Sequence, residues 1–184
     1  MEWKDSAILA LAHHPILDTK RLRLRPMTLE DLSDYHEYTS DQEVLKYDYY
    51  PHQSLAESEL SLVKWNLSHP LGRFGIELKE NGKLIGNASI TLQDAEVVVI
   101  GYTLNKDYWR QGFGTELVNA LCGLAFGKIA AQAVQARVVS ENKASIALLE
   151  KCHFKRISEN PKATNSRGES CVSYDYERRS EERR

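Results

Sequence analysis

The feature of this sequence that most constrains its fold is a glycine pair, Gly112 and Gly114, between a β-like run and a helix-like run. Residues 97–104 are mostly β-branched or apolar, as in a buried strand, and residues 115–126 repeat leucines at helical spacing. Such a junction leaves free backbone N–H groups at the positive end of a helix dipole. It predicts an anion site, because glycines let a phosphate approach the backbone closely. Arg110 adds a fixed positive charge with planar donors.

Other interpretations of the glycine pair are open at this level. An ordinary tight turn is one, because such short motifs often match by chance. A dinucleotide-binding loop is disfavoured, since that loop usually lies in the first βα unit and carries a third glycine. A P-loop is excluded, because no Gly-Lys-Ser/Thr sequence follows the pair. A pyrophosphate-binding loop of another kind remains.

Alternating apolar and polar residues predict antiparallel strands before the junction. Residues 21–25 predict a half-buried strand, and their arginines are interpreted as a solvated sheet face. Residues 74–78 and 84–90 flank Asn81 and Gly82, a pair typical of a two-residue hairpin turn with both residues at positive φ.

Capping signals predict two helices between the first strand and this hairpin. Thr28 and Asp31 form a capping-box pattern at the start of the first helix. Ser54 is a suitable N-cap for a second helix over residues 55–68. The side of this second helix expected to face inward is a stripe of Leu60, Val63, Lys64 and Leu67.

The chain after the junction alternates strands and helices. Residues 133–139 predict a strand, and Asn142 is a suitable N-cap for a helix that ends at Lys151. Two closing strands are expected on either side of a polar loop at residues 161–169. This order predicts a single α/β (α+β) domain with a mixed, mostly antiparallel sheet.

Composition limits the class of protein. A chain of 184 residues with 42% hydrophobic and 27% charged residues suits one globular domain. We expect an N-terminal arm or short helix at residues 1–18, the domain at 19–178 and a tail at 179–184. The formal net charge of −2 gives no basic field for nucleic acid, and the apolar run at residues 7–12 is too short to span a membrane. Three cysteines without close pairing or metal-like spacing predict a reduced, cytoplasmic protein without a metal site.

Two motifs in order resemble the GNAT superfamily of acyl-CoA-dependent N-acetyltransferases. The first is the glycine element, in which Trp109 stands at the family's Gln/Arg position. The second is an Asn-x-x-Ser element at Asn142 and Ser145. The resemblance covers residues 19–176 and is closest to the branch of the ribosomal-protein N-terminal-alanine acetyltransferases. That branch often has Ile-Gly-Tyr, Tyr-Trp and Gly-x-Gly/Ala-Thr-Glu in order, and the chain matches with Ile100, Gly101, Tyr102, Tyr108, Trp109, Gly112, Phe113, Gly114, Thr115 and Glu116.

The resemblance implies a GNAT-type domain with helices on both faces of the sheet and acetyl-CoA, as co-substrate, between splayed central strands. The backbone at the end of the 97–104 strand would pair with pantetheine and polarise the thioester carbonyl, and the amides of residues 110–115 would hold the pyrophosphate. The residues assigned to the cofactor in this way are Tyr102, Thr103, Leu104, Trp109, Arg110, Gln111, Gly112, Phe113, Gly114, Thr115 and Asn142.

The catalytic residues are harder to assign. Direct attack by an amine needs an oxyanion donor and a proton for the leaving thiolate, but no covalent enzyme intermediate. The family's usual acid, a tyrosine, is replaced by Leu149, so Ser145 is the candidate donor; a role confined to the helix start explains Ser145 equally well. The branch often has a glutamate where this chain has Val99, which cannot act as a base. Glu77 is a possible base, but its position in the strand also suits an exposed carboxylate without a catalytic role. A water relay, or an amine that arrives neutral, is as good an explanation as any named base.

The resemblance implies an N-acetyltransferase that acts on an amine, either a protein N-terminus or a small molecule, with no nucleic-acid or membrane partner. By family analogy, the acceptor surface would come from residues 41–52 and 161–169. A homodimer is left open. The alternative is a non-catalytic acyl-CoA-binding or interaction module on the same fold, suggested by Leu149 and Val99.

Overall fold

The computed structural model describes residues 2–180; of the predicted tail, residues 181–184 lie outside this range. The helices are α1 (Trp3–His13), α2 (Leu32–Thr39), α3 (Leu55–Leu62), α4 (Phe113–Gly127) and α5 (Lys143–Lys151). The strands are β1 (Leu17–Asp18), β2 (Leu22–Arg25), β3 (Arg73–Leu78), β4 (Leu84–Leu92), β5 (Val97–Leu104), β6 (Ala133–Val139), β7 (Lys155–Thr164) and β8 (Ser170–Arg179).

The eight strands form one mixed sheet, in the order β1-β2-β3-β4-β5-β6-β8-β7. All neighbouring strands are antiparallel except β5 and β6, which are parallel. The β5–β6 pairing covers only Val97–Val99 and Ala133–Gln135, whereas β5 stays paired with β4 along its length. The two central strands therefore separate after Val99, which confirms the predicted fold class.

The main core lies on the face of the sheet covered by α1, α4 and α5. Leu117, Leu121 and Leu124 of α4 are buried there, as their helical spacing predicts. Trp3 of α1 donates from Nε1 to the Ile129 carbonyl at 3.0 Å, so the N-terminal helix is fixed to the same core. A smaller cluster with α2 and α3 covers part of the opposite face.

The capping signals are confirmed. The Thr28 hydroxyl accepts from the Glu30 N–H, and the Thr28 N–H donates to the Asp31 carboxylate at 2.8 Å. Ser54 caps α3 through the Glu57 N–H, and Asn142 caps α5. A cap that satisfies one orphan N–H stabilises a helix by about 1 kcal/mol, so these helix starts can be predicted from local sequence.

The β3–β4 turn differs from the prediction. The Leu78 N–H donates to the Lys83 carbonyl at 2.9 Å, which closes a four-residue loop in place of a two-residue turn. Gly82 has φ +75°, but Asn81 is not at positive φ; its side chain accepts from the Lys83 N–H. The Asn side chain thus supplies a local acceptor that stabilises the longer loop.

The bounds of two helices, and the buried face of one of them, also differ. The junction helix begins at Phe113, two residues before the predicted start, and α3 ends at Leu62 before a single wide turn at Val63–Leu67. The predicted inward stripe of α3 is confirmed at Leu67, which packs against the smaller cluster, and is wrong at Leu60, which is 55% exposed. The buried positions of this segment are Ser58, Leu62 and Asn66. The Ser58 hydroxyl lies within hydrogen-bond distance of the imidazoles of His36 and His52, which keeps this side of the helix inward.

The predicted polar loop at residues 161–169 is shorter than expected. Strand β7 continues through Pro161 to Thr164, and its pairing with β8 is irregular between Asn160 and Ala163. A proline without an N–H is compatible with β7 because β7 is an edge strand.

Candidate active site

The gap between β5 and β6 exposes backbone groups of β5. The Gln93 N–H donates to the Val97 carbonyl at 2.8 Å, and the Asn105 N–H donates to the Ile85 carbonyl at 2.8 Å. Because antiparallel pairs alternate, Val97, Thr103 and the other odd-numbered residues direct N–H and C=O toward β4. The even-numbered residues Ile100, Tyr102 and Leu104 therefore direct theirs toward the gap.

This alternation separates the three strand residues assigned to the cofactor. Tyr102 and Leu104 offer backbone groups to the gap, whereas Thr103 lies opposite Asn87 of β4. The Leu104 carbonyl accepts a hydrogen bond from Trp109 Nε1 at 2.8 Å. Trp109 thus closes the end of the gap with its indole. Ile100, which the sequence interpretation did not include, has the same orientation as Tyr102.

The glycine element forms a left-handed entry into α4. Arg110 has φ +58° and Gly112 has φ +83°, and Gly112 is the N-cap residue. The N–H groups of Phe113, Gly114 and Thr115 lie in the first turn of α4, where a helix has no internal acceptor for them. Free N–H donors at the positive end of a helix are suited to an anion. Phe113 is only 7% exposed and belongs to the main core.

Gly114 has a packing role. A Cβ built at Gly114 would lie 2.8 Å from a methyl carbon of Leu148 in α5. The missing side chain therefore lets α4 and α5 approach each other.

Two other residues assigned to the cofactor use their side chains within the protein. Asn142 Oδ1 accepts from the Ser145 N–H at 3.1 Å. The Gln111 side chain donates to the Asp107 carbonyl at 2.8 Å.

Arg21 is a site residue that the sequence interpretation missed. Its Nη1 donates to the Gln111 carbonyl at 2.9 Å, and its Nε donates to the Glu116 carboxylate at 2.7 Å. Its guanidinium carbon lies 4.1 Å from the centre of the Phe113 ring. The guanidinium thus joins the loop to the first turn of α4, while the sequence placed it on a solvated sheet face.

Glu116 completes this cluster. Its carboxylate accepts from the Thr19 hydroxyl at 2.5 Å and from the Arg21 N–H at 2.7 Å. Burial alone would raise the pKa of Glu116, but these hydrogen bonds and the Arg21 side chain outweigh burial and hold the pKa below its usual range. A carboxylate in the first turn also complements the helix dipole. The only local signal for this pairing is an acidic residue at the helix start.

Ser145 lies beside Tyr102 rather than facing solvent alone. Tyr102 Oη and Ser145 Oγ are 3.1 Å apart, although the residues are 43 positions apart in the chain. Burial raises the pKa of Tyr102 to about 12. Leu149, which replaces the family's tyrosine, is 1% exposed and packs in the core.

Glu77, the candidate base, is held in an ion-pair network. Glu77 binds Arg25 at 2.5 Å, and Arg25 also holds Asp31 at 2.7 Å. These contacts join β2, β3 and the start of the α2 segment. Val99, at the position where the resemblance implies a glutamate, lies on the face opposite the Tyr102 side chain, because strand residues alternate.

The two segments expected to form the acceptor surface touch each other. Arg167 donates to the carbonyls of Leu45 at 2.7 Å, Asp48 at 3.0 Å and Tyr49 at 3.4 Å. Its guanidinium also lies 4.8 Å from the centre of the Tyr50 ring. The tip of the β7–β8 hairpin is thereby held against residues 45–50. A single arginine that donates to three carbonyls fixes the spacing of this surface.

The charges on this surface are partly neutralised. Asp41 binds Lys106 at 2.6 Å, and Glu43 lies 3.7 Å from the same ammonium. The ammonium of Lys106 therefore offsets part of the negative charge that Asp41 and Glu43 give this surface.

The cysteines do not form a reactive centre. Cys122 and Cys152 are buried, and burial raises the pKa of the Cys122 thiol to about 11. A thiol with a raised pKa is a poor nucleophile at neutral pH. Within residues 2–180, no group of three or more His, Cys, Asp or Glu side chains is placed to hold a metal ion. In the same range, every helix is too short or too polar to cross a bilayer.

The chain is similar to known proteins in sequence and in fold. The model of the acetyltransferase (GNAT) domain matches residues 21–155. The uncharacterized N-acetyltransferase p20 of Bacillus licheniformis is 34% identical over 146 residues, which cover 76% of this chain and 82% of that protein. The crystal structure of a GNAT-family acetyltransferase from Bacillus anthracis has a TM-score of 0.80 at 24% identity, over 89% of this chain and 98% of that chain.

Two further structures share the fold and have different acceptors in their names. The ribosomal-protein-S5-alanine acetyltransferase of Vibrio fischeri has a TM-score of 0.70 at 18% identity, over 92% of this chain and 98% of that chain. The spermidine N-acetyltransferase of Vibrio cholerae, in complex with CoA and spermine, has a TM-score of 0.73 at 19% identity, over 88% of this chain and 96% of that chain.

Proposed function

The chain belongs to the GNAT acetyltransferase family and is an acetyl-CoA-dependent acetyltransferase, and on this premise we propose that it transfers the acetyl group to a primary amine by direct attack. The observation that carries the proposal is the meeting of two features at one end of β5. The backbone of Tyr102 and the N–H of Leu104 open onto the β5–β6 gap, and the first turn of α4 presents free N–H groups beside it.

The residues fit acetyl-CoA in two places. The gap is lined on one side by strand backbone, which can pair with the amide groups of a pantetheine arm as a strand would. The N–H groups of Phe113, Gly114 and Thr115 suit a pyrophosphate, because they combine free donors with the positive end of α4. Arg21 supports this loop through the Gln111 carbonyl.

The cofactor, when bound, supplies an activated acetyl group on a thioester. The chain contributes orientation, since the gap and the loop would hold the pantetheine arm and the pyrophosphate of the cofactor. The Ser145 hydroxyl is the proposed donor to the leaving sulfur, because Leu149 has no proton to give. Glu77 is committed to Arg25, so the amine arrives neutral or loses its proton to water.

The acceptor is proposed to lie against the surface that Arg167 organises, residues 45–50 and the β7–β8 tip. Both a protein N-terminus and a small-molecule amine fit this chemistry. The motif around Tyr102 and Trp109, together with the structural likeness to the S5-alanine enzyme, supports the protein N-terminus. The likeness to the spermidine enzyme supports a small amine.

A thiol-release screen tests the proposal. Purified protein is incubated with acetyl-CoA and a panel of peptides with different N-termini, polyamines and amino acids, and free CoA thiol is measured. Release with at least one amine, and a mass increase of one acetyl group on that amine, is expected. Coenzyme A binding by calorimetry without turnover across the panel would instead favour a non-catalytic acyl-CoA-binding module.

A further inference from the structure

A phenol and an alcohol face each other beside the β5–β6 gap. Tyr102 Oη and Ser145 Oγ are at hydrogen-bond distance, 3.1 Å, and either hydroxyl can donate. The Ser145 backbone is fixed independently, because its N–H donates to the Asn142 side chain. The orientation of the Ser145 proton therefore depends on which hydroxyl donates in this pair.

The chemistry of the two groups determines the donor. A phenol is a stronger hydrogen-bond donor than an aliphatic alcohol because it is far more acidic. Burial also raises the pKa of Tyr102 to about 12, so the phenol keeps its proton at neutral pH. Tyr102 thus donates and Ser145 accepts, which leaves the single Ser145 proton free for another acceptor.

We propose that the Tyr102 side chain is a positioning residue, which donates to Ser145 and thereby directs the Ser145 proton toward the leaving sulfur. The inference rests on the proposed function. Ser145 donates a hydrogen bond to the sulfur while the bond from sulfur to the acetyl carbon breaks and the new C–N bond forms. The amine nitrogen loses one proton to water and the sulfur finally takes one from water. Neither Tyr102 nor Ser145 changes its protonation over a turnover.

A double-mutant cycle tests this role with the amine found in the thiol-release screen. Tyr102→Phe should lower kcat about three- to tenfold, the value of one lost hydrogen bond, and leave the acetyl-CoA KM unchanged. The double variant with Ser145→Ala should be no slower than Ser145→Ala alone, because Tyr102 acts only through Ser145. The proposal is overturned if the loss of kcat in the double variant equals the product of the two single losses. It is also overturned if Tyr102→Phe keeps the wild-type kcat.

Tyr176→Phe is the matched control. Tyr176 is a buried tyrosine, whereas Tyr102 is half-buried, and the Tyr176 hydroxyl donates at 3.0 Å to Glu150, which lies on the same helix as Ser145. Its loss should lower stability and leave kcat unchanged. An equal loss of kcat in both tyrosine variants would show a general effect of weakened α5 packing and refute a specific role for Tyr102.

A binding measurement tests the proposal without turnover. CoA and desulfo-CoA, which lacks the thiol, are titrated into the protein at pH 7 and pH 9.5, below and above the ordinary thiol pKa of about 8.5. In the wild type, the ratio of the desulfo-CoA Kd to the CoA Kd should be about three- to tenfold larger at pH 9.5 than at pH 7, because Ser145 can donate to the thiolate. Tyr102→Phe should remove most of this increase in the ratio.

The inference is refuted if the increase from pH 7 to pH 9.5 is kept in the Tyr102→Phe variant and in the Ser145→Ala variant. If the wild type binds CoA but acetylates no amine, the proposed function fails while this measurement still decides the role of Tyr102.

Discussion

Gly112→Ala separates the backbone role of this glycine from its role in cofactor binding. Gly112 has φ +83°, in the left-handed region that an alanine adopts at a cost of about 1–2 kcal/mol. The new Cβ would lie 3.3 Å from Arg21 Nη2, a tight but adjustable contact. For a domain of this size, 1 kcal/mol corresponds to about 2–4 °C in Tm, so Tm should fall by about 2–8 °C. The left-handed backbone thus predicts a loss of stability that a purely ligand-binding glycine would not show.

The same variant should weaken coenzyme A binding by more than the strain explains. Displacement of Arg21 disturbs its hydrogen bond to the Gln111 carbonyl, and the side chain occupies space beside the free N–H groups of α4. The loss of one charge-assisted hydrogen bond from this turn to the pyrophosphate would cost about 1.5–3 kcal/mol, which corresponds to a rise in Kd of roughly tenfold to a hundredfold. Isothermal titration calorimetry with CoA measures this, and differential scanning calorimetry measures Tm.

Gly82→Ala is the matched control. Gly82 has φ +75°, and a Cβ there meets no atom within 4 Å. It should therefore lower Tm by a similar amount and leave the Kd of CoA unchanged. A Gly112→Ala protein with the Tm loss of Gly82→Ala and normal CoA affinity would show that the pyrophosphate does not lie on this loop.

Three further predictions concern residues held by long-range contacts. Arg21→Lys should raise the Kd of CoA about three- to tenfold, because an ammonium cannot keep the planar pair of contacts to Gln111 and Glu116; calorimetry that shows native affinity would remove Arg21 from the site. Arg167→Ala should raise the acceptor KM while the acetyl-CoA KM stays constant, and steady-state kinetics with an equal change in both constants would contradict a role confined to the acceptor surface. Burial holds the pKa of His52 below 6.5, so the unfolded chain takes the proton first and stability should fall as pH drops below about 6.5; His52→Gln should flatten the dependence of Tm on pH in that window, and an unchanged slope would assign the effect to other groups.

Local patterns were sufficient to predict most of the elements of this protein. The strand at residues 133–139 has the predicted bounds, and the caps at Thr28 and Asn142 form as expected. These predictions hold because alternation, helical spacing and capping depend on residues within a few positions of each other. The glycine pair also predicted the place where β5 passes into α4.

The errors arose where a neighbouring element changed a local preference. Leu60 fits an inward stripe by spacing, but hydrogen bonds between Ser58 and the histidines His36 and His52 turn another side of α3 inward. Asn81 suits a two-residue turn, but its side chain stabilises a longer loop. In both places, a polar side chain found a partner that hydrophobic periodicity does not encode.

The assignment of GNAT-type chemistry to this chain could be read from the sequence, because its two motifs lie in order along the chain. The arrangement of the candidate site was decided only by the tertiary structure. Tyr102 and Ser145 are 43 positions apart, Arg21 and Glu116 are 95 apart, and Arg167 and Asp48 are 119 apart. Contacts over such separations depend on where the sheet places each strand, and no local pattern of residues records that placement. The β5–β6 gap has the same origin, since it exists because two strands pair over three residues and then diverge.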